Sequence, residues 1–194
     1  MNKLVVFASG SGSNFQSIID QAESGHLKVK IAGLLASKPN IGAIARAEKH
    51  GISTAVVSRK NFDSRGDYHD EMLAQLERWQ PDLIVLAGYL KKIPESVVEA
   101  YPGKIINIHP SLLPRHGGRG FYGIRVHESV IRSGDTQSGC TVHYVNEHYD
   151  EGNVIDRAVV DVLPGDTPET LQRRVLIEEH KLLPSVIGRL LNSD

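Results

Sequence analysis

The chain has 194 residues, 40% of them apolar and 23% charged, with 22 Lys and Arg against 23 Asp and Glu for a net charge of −1. This is an ordinary globular composition, long enough to bury a core, and it lacks the basic excess of a dedicated nucleic-acid binder. A single cysteine, Cys140, excludes an internal disulfide or a cysteine-based zinc site, and no apolar run approaches the ~20 residues that span a bilayer. The expected setting is the cytoplasm, with small molecules as partners and neither nucleic acid nor membrane. No repeat, low-complexity tract or Pro/Gly/Ser-rich linker divides the chain, so one domain over residues 1–194 is expected.

Leu4–Ala8 predicts a buried strand, Phe15–Glu23 a helix, Val29–Ala36 a strand, Ile41–His50 a helix and Ala55–Val57 a short strand. Gly66–Trp79 follows as a helix, Asp82–Ala87 as a strand, Pro94–Glu99 as a helical turn and Lys104–Ile108 as a strand. Apolar runs without alternation belong to strands covered on both faces, and strand–helix repetition implies right-handed crossovers. The expectation is a single doubly wound, mostly parallel sheet of the α/β class. Beyond residue 137 the texture alternates more, and Cys140–Val145 and Val154–Val162 predict an antiparallel hairpin. A closing helix starts at Asp166-Thr167-Pro168-Glu169, with Leu171, Val175, Leu182, Val186 and Leu190 recurring on roughly one face. Pro184 is expected to kink or interrupt it.

Open parallel sheets bind ligands beyond the carboxyl ends of their strands. Three unusual segments lie at such ends: Ser9-Gly10-Ser11-Gly12-Ser13-Asn14, Gly88-Tyr89-Leu90-Lys91-Lys92-Ile93, and Asn107-Ile108-His109-Pro110-Ser111-Leu112-Leu113-Pro114. They are expected to share one cleft. The first permits a tight turn into a helix whose free N–H groups face an anion, best a phosphate monoester. A dinucleotide fingerprint would place glycine where Phe15 stands and an acid where Ser37-Lys38 lies, which weakens a nicotinamide-dependent oxidoreductase.

Asn107 and His109 are two apart on a strand and project together. A neutral amide beside an imidazole suits chemistry in which an oxyanion forms and a leaving nitrogen needs a proton. A nearby carboxylate would raise the imidazole pKa by about one unit, worth about 1.4 kcal/mol. The loop from Asn146 to Asn153 carries Glu147, Asp150 and Glu151, and spacing does not choose among them. A metal site is disfavoured: there is no His-Glu-x-x-His, and His143 and His148 lack helical register.

The Asn107–Pro114 block, with Gly139-Cys140-Thr141-Val142-His143 and Asp150-Glu151-Gly152, resembles the folate-dependent formyltransferases over nearly the whole chain. The Ser11-Gly12-Ser13-Asn14 loop and the length resemble the purine-synthesis branch of that family. The resemblance implies a Rossmann-like formyltransferase fold, 10-formyltetrahydrofolate as co-substrate and glycinamide ribonucleotide as acceptor, with no metal. It implies that Gly12, Ser13 and Asn14 hold the phosphate and that Glu179 faces the ribonucleotide. Asn107, His109 and Asp150 would form the catalytic group. Arg65, Leu90, Lys91, Lys92, Ile93 and Asn107 would lie on the folate side. Without the resemblance, Arg65 reads as a solvated loop charge and Glu179 as a surface helix residue. Gly117–Gly123 departs from the family pattern, being longer and richer in glycine. Relatives that formylate tRNA or hydrolyse the folate would carry a further domain, which this length is expected to exclude. The sequence assigns no oligomeric state.

Overall fold

The computed structural model describes residues 1–192; Ser193 and Asp194, part of the expected domain, lie outside the described residues. Five strands run parallel: β1 (Asn2–Ala8), β2 (Val29–Ala36), β3 (Thr54–Val56), β4 (Leu83–Leu86) and β5 (Ile105–His109). Two more, β6 (Gln137–Tyr144) and β7 (Val154–Asp161), continue the same sheet antiparallel. The spatial order is β3-β2-β1-β4-β5-β6-β7. The order reverses between β1 and β4, so the switch point lies there, and β5 is the next strand along.

The helices are α1 (Ser13–Glu23), α2 (Gly42–Lys49), α3 (Arg65–Trp79), α4 (Glu95–Ala100), α5 (Ile124–Ser133) and α6 (Pro168–Asn192). β1 shows why its run does not alternate. Leu4, Val6 and Ala8 meet α1, α2 and α6 on one face, while Val5 and Phe7 meet α3 and α4 on the other, all fully buried. Each of these side chains larger than that of Ala8 contributes roughly 1.5–3 kcal/mol by leaving water.

Two features depart from expectation. The helix α5 is absent from the sequence reading, and α6 runs uninterrupted through Pro184. Proline in a helix interior costs about 3 kcal/mol. Here Leu183, Val186 and Ile187 are fully buried against the sheet, and their combined burial outweighs that cost. In addition β6 is buried on both faces from Ser138 to His143, so the expected alternation is not realised there.

Candidate active site

β1 ends at Ala8, and the chain turns through Gly12 into α1. Gly12 is the N-cap in the left-handed region at φ 76, and a Cβ there would lie 2.8 Å from both Ala43 Cα and Cβ. Glycine is thus required by conformation and by space. It brings no capping side chain, so the first N–H groups of α1 face outward at the positive end of its dipole. The turn is braced by Ala43 N–H to the Gly10 carbonyl and by Arg46 Nε to the Ser11 carbonyl.

Asn14 adds an acceptor to this cradle. Its Nδ2 donates to Glu179 Oε2 at 2.5 Å, while its buried Oδ1 has no partner. Glu179 is buried, contrary to the surface position its helical context suggests, because α6 packs across α1. Burial pushes its carboxyl up to about 7, against the pull of the Asn14 amide. The folded value lies above the ordinary 4.5, so Glu179 contributes stability that is present below about pH 4.5 and lost as pH rises through about 7. Glu179→Gln is therefore expected to be more stable than wild type at pH 8, with the advantage fading toward pH 5, in denaturant titrations at both values. A pH-independent difference would assign the titration to another group.

β5 presents Asn107 and His109, and its antiparallel register with β6 sets Asn107 opposite His143. Four polar side chains meet there. The His143 Nδ1–H donates to the Tyr144 carbonyl at 2.8 Å, which leaves Nε2 to accept from Asn107 Nδ2 at 3.1 Å. Asn107 Nδ2 also donates to Asp150 Oδ1 at 3.4 Å. Asp150 Oδ2 accepts the Gly118 N–H at 2.8 Å and lies 3.6 Å from His109 Nδ1, an ion-pair distance longer than a hydrogen bond. His109 Nε2 faces the His116 carbonyl at 2.9 Å. A carbonyl only accepts, so Nε2 carries a proton and Nδ1 is the open nitrogen beside Asp150.

Burial pushes His109 below the ordinary histidine range, although Asp150 pulls it back up. This corrects the expectation of an imidazole raised by its carboxylate: desolvation wins over the ion pair, and the resting ring is neutral at pH 7. Burial also opposes ionisation of Asp150, yet its carboxyl is held below the usual carboxylate range: the Gly118 N–H donates to it at rest, and His143 and His109 add to this when protonated. The site rests as a carboxylate beside a neutral imidazole.

The three expected segments do share one cleft of about 670 Å³, lined by Ser13, Asn14, Leu90, Asn107, His109 and Asp150, with Glu179 at the cradle end. Gly12 lies behind this surface. Leu90 N–H is already held by Ser9 Oγ at 2.9 Å. Lys91, Lys92 and Ile93 line an adjoining groove that shares Tyr89, Asn107 and Asp150 with the cleft. Arg65 is exposed at the start of α3 and lines neither space. Sequence reasoning missed His143, whose signal is the strand register, and His127, a buried cleft residue on α5 whose ring burial pushes down to about 4. Size alone would misplace the site, because a groove of about 740 Å³ lies between α1 and α6, lined by Gln21, His26 and His180.

An open α/β sheet with a cradle at a helix N-terminus and a partly buried amide–imidazole–carboxylate group beside its switch point has the layout of a group-transfer enzyme. The chain belongs to the formyl transferase family, whose model matches residues 2–187. The phosphoribosylglycinamide formyltransferase of Bacillus subtilis is 39% identical over 98% of this chain and 95% of that protein. The chloroplastic phosphoribosylglycinamide formyltransferase of Arabidopsis thaliana is 43% identical over 97% of this chain, which spans 65% of that protein's length. The crystal structure of glycinamide ribonucleotide transformylase 1 from Geobacillus kaustophilus superposes with a TM-score of 0.92 at 41% identity, covering 99% of this chain and 100% of that one. The sequence-level resemblance is borne out at the level of family and fold. Among the described residues no helix is long and apolar enough to cross a membrane.

Proposed function

We propose that the protein transfers the formyl group of 10-formyltetrahydrofolate to the primary amine of glycinamide ribonucleotide, a step of purine biosynthesis. The convergence of His109, Asn107 and Asp150 in the same cleft as the α1 cradle carries this reading. The phosphate sits on the N–H groups at Ser13 and Asn14. The unpartnered Asn14 Oδ1 takes a donor from the ribonucleotide, and Glu179 lies next to it. The folate occupies the end of the cleft by Leu90 and Asn107.

The amine nitrogen attacks the formyl carbon, and the carbonyl oxygen becomes an oxyanion. Asn107 meets it by releasing its long N–H contact to Asp150 while keeping the shorter one to His143. The attacking nitrogen then carries a proton it must lose, and N10 of the folate needs one to leave. His109 Nδ1, unprotonated at rest, takes the first and delivers it to N10 as general acid. Asp150 steadies the transient imidazolium at 3.6 Å. No covalent enzyme intermediate is required, and holding both substrates in one cleft supplies much of the remaining acceleration.

The absorbance change from 10-formyltetrahydrofolate to tetrahydrofolate tests the reading, followed with and without glycinamide ribonucleotide. Turnover only with the ribonucleotide is expected. Turnover without it would make the protein a folate hydrolase, and no turnover with it would make it a binding protein.

A further inference from the structure

His109 and Asp150 reach the site from different elements, β5 and the β6–β7 loop, yet one short stretch of backbone holds both. The His116 carbonyl accepts from His109 Nε2, and the Gly118 N–H donates to Asp150 Oδ2. Gly117 and Gly118 have no side chains with which to fix this stretch. His116 does have one, and its ring is bonded at both nitrogens. Nδ1 meets the Ser129 hydroxyl on α5 at 2.8 Å, and Nε2 meets Asp135 Oδ2 at 2.9 Å just beyond the end of α5. Asp135 also pairs with Arg115, and Ser111 Oγ donates to the Arg115 carbonyl at 2.6 Å. The ring packs edge-on to Phe121 at 6.5 Å. His116 itself sits in the left-handed region at φ 54, a conformation that needs side-chain support to persist. Its ring does not line the cleft but a separate pocket with Arg115, Val130 and Asp135.

We propose that His116, pinned between Ser129 and Asp135, is a positioning residue that fixes the ring of His109 and the carboxylate of Asp150 through its own backbone. The inference rests on His109 being the proton carrier. It makes α5, rather than the strand that bears His109, the anchor of the catalytic geometry. By occupying Nε2, the His116 carbonyl selects the tautomer that leaves Nδ1 open toward Asp150.

Two variants cut the pin from opposite ends. His116→Asn tolerates the left-handed backbone but is too short to reach Asp135. Asp135→Ala leaves residue 116 unchanged. Each is expected to lower kcat by ~10- to 100-fold, the scale of a misplaced catalytic group, with KM for glycinamide ribonucleotide unchanged. Nitrogen-15 NMR of the imidazoles should show His109 protonated at Nε2 alone in the wild type and as mixed tautomers in both variants. In a His109→Asn background, His116→Asn should remove no further activity. Wild-type kcat in either folded variant, a rise in KM in place of the fall in kcat, or a full additional loss on top of His109→Asn would overturn the proposal. Wild-type activity in His109→Asn itself is a different result, which refutes the proton-carrier reading and the inference built on it.

Discussion

Replacing His109 with asparagine is expected to lower kcat for formyl transfer by ~10²–10⁴, the usual worth of a positioned acid–base group. The residue is 4% exposed, and its ring donates one hydrogen bond, to the His116 carbonyl, a bond worth ~0.5–1.5 kcal/mol to stability. Asparagine keeps a polar group in the site but is too short to renew that bond, a loss within that range, so the fold should survive. What it lacks is a nitrogen that can accept a proton near neutral pH and release it again. The cradle at α1 is built from other residues, and KM for the ribonucleotide should stay near wild type. Steady-state kinetics beside a thermal melt provide the check. A folded variant with kcat within about tenfold of wild type, below the range expected of such a group, would take the imidazole out of the proton path.

The second large effect is expected at Asp150. Asparagine there still accepts the Gly118 N–H and retains the shape of the loop, but it removes the charge that balances the imidazolium. The predicted loss is ~10²–10³ in kcat, the scale of one preorganised electrostatic contact. The pH profile supplies an independent signature. His109 lies below the ordinary histidine value because burial outweighs the upward pull of Asp150. Resting enzyme with neutral His109 is the competent form, so the rate should rise as pH increases through that lowered pKa and then level. Removing the carboxylate removes the upward pull, so in Asp150→Asn this acid limb should move to lower pH. An unmoved or upward-shifted limb would contradict the pairing, and near wild-type turnover would exclude the carboxylate from the mechanism.

The parts of the fold legible in the sequence are those where a local pattern and the final packing agree. β1 and β2 read as strands because helices cover both their faces. α5 did not, although Val126, Val130 and Ile131 recur at helical spacing along it: it is short, and it starts after Gly123 with no capping side chain to mark its beginning. Pro184 carries a strong local signal that buried neighbours override. In the site, Asn107 and His109 were legible from two-residue spacing at a strand end. Asp150 was singled out only by family resemblance. Its place depends on its left-handed backbone at φ 57 and on the missing Cβ of Gly152, which would lie 1.7 Å from the Tyr144 carbonyl oxygen. Neither follows from spacing. Glu179 required knowing that α6 crosses α1, and the neutral resting state of His109 required knowing how deeply it is buried.

The sheet changes direction at β5, where parallel pairing with β4 gives way to antiparallel pairing with β6. The proposed phosphate cradle stands on β1 and α1, whereas the proposed charge partner of His109 stands on the loop between β6 and β7, with α6 packed against both sides. Transient opening of that loop would take the carboxylate away from His109 while the turn into α1 kept its shape. Mild denaturant should then yield molecules that still retain ligand but no longer react, so occupancy and catalysis would decay along separate curves.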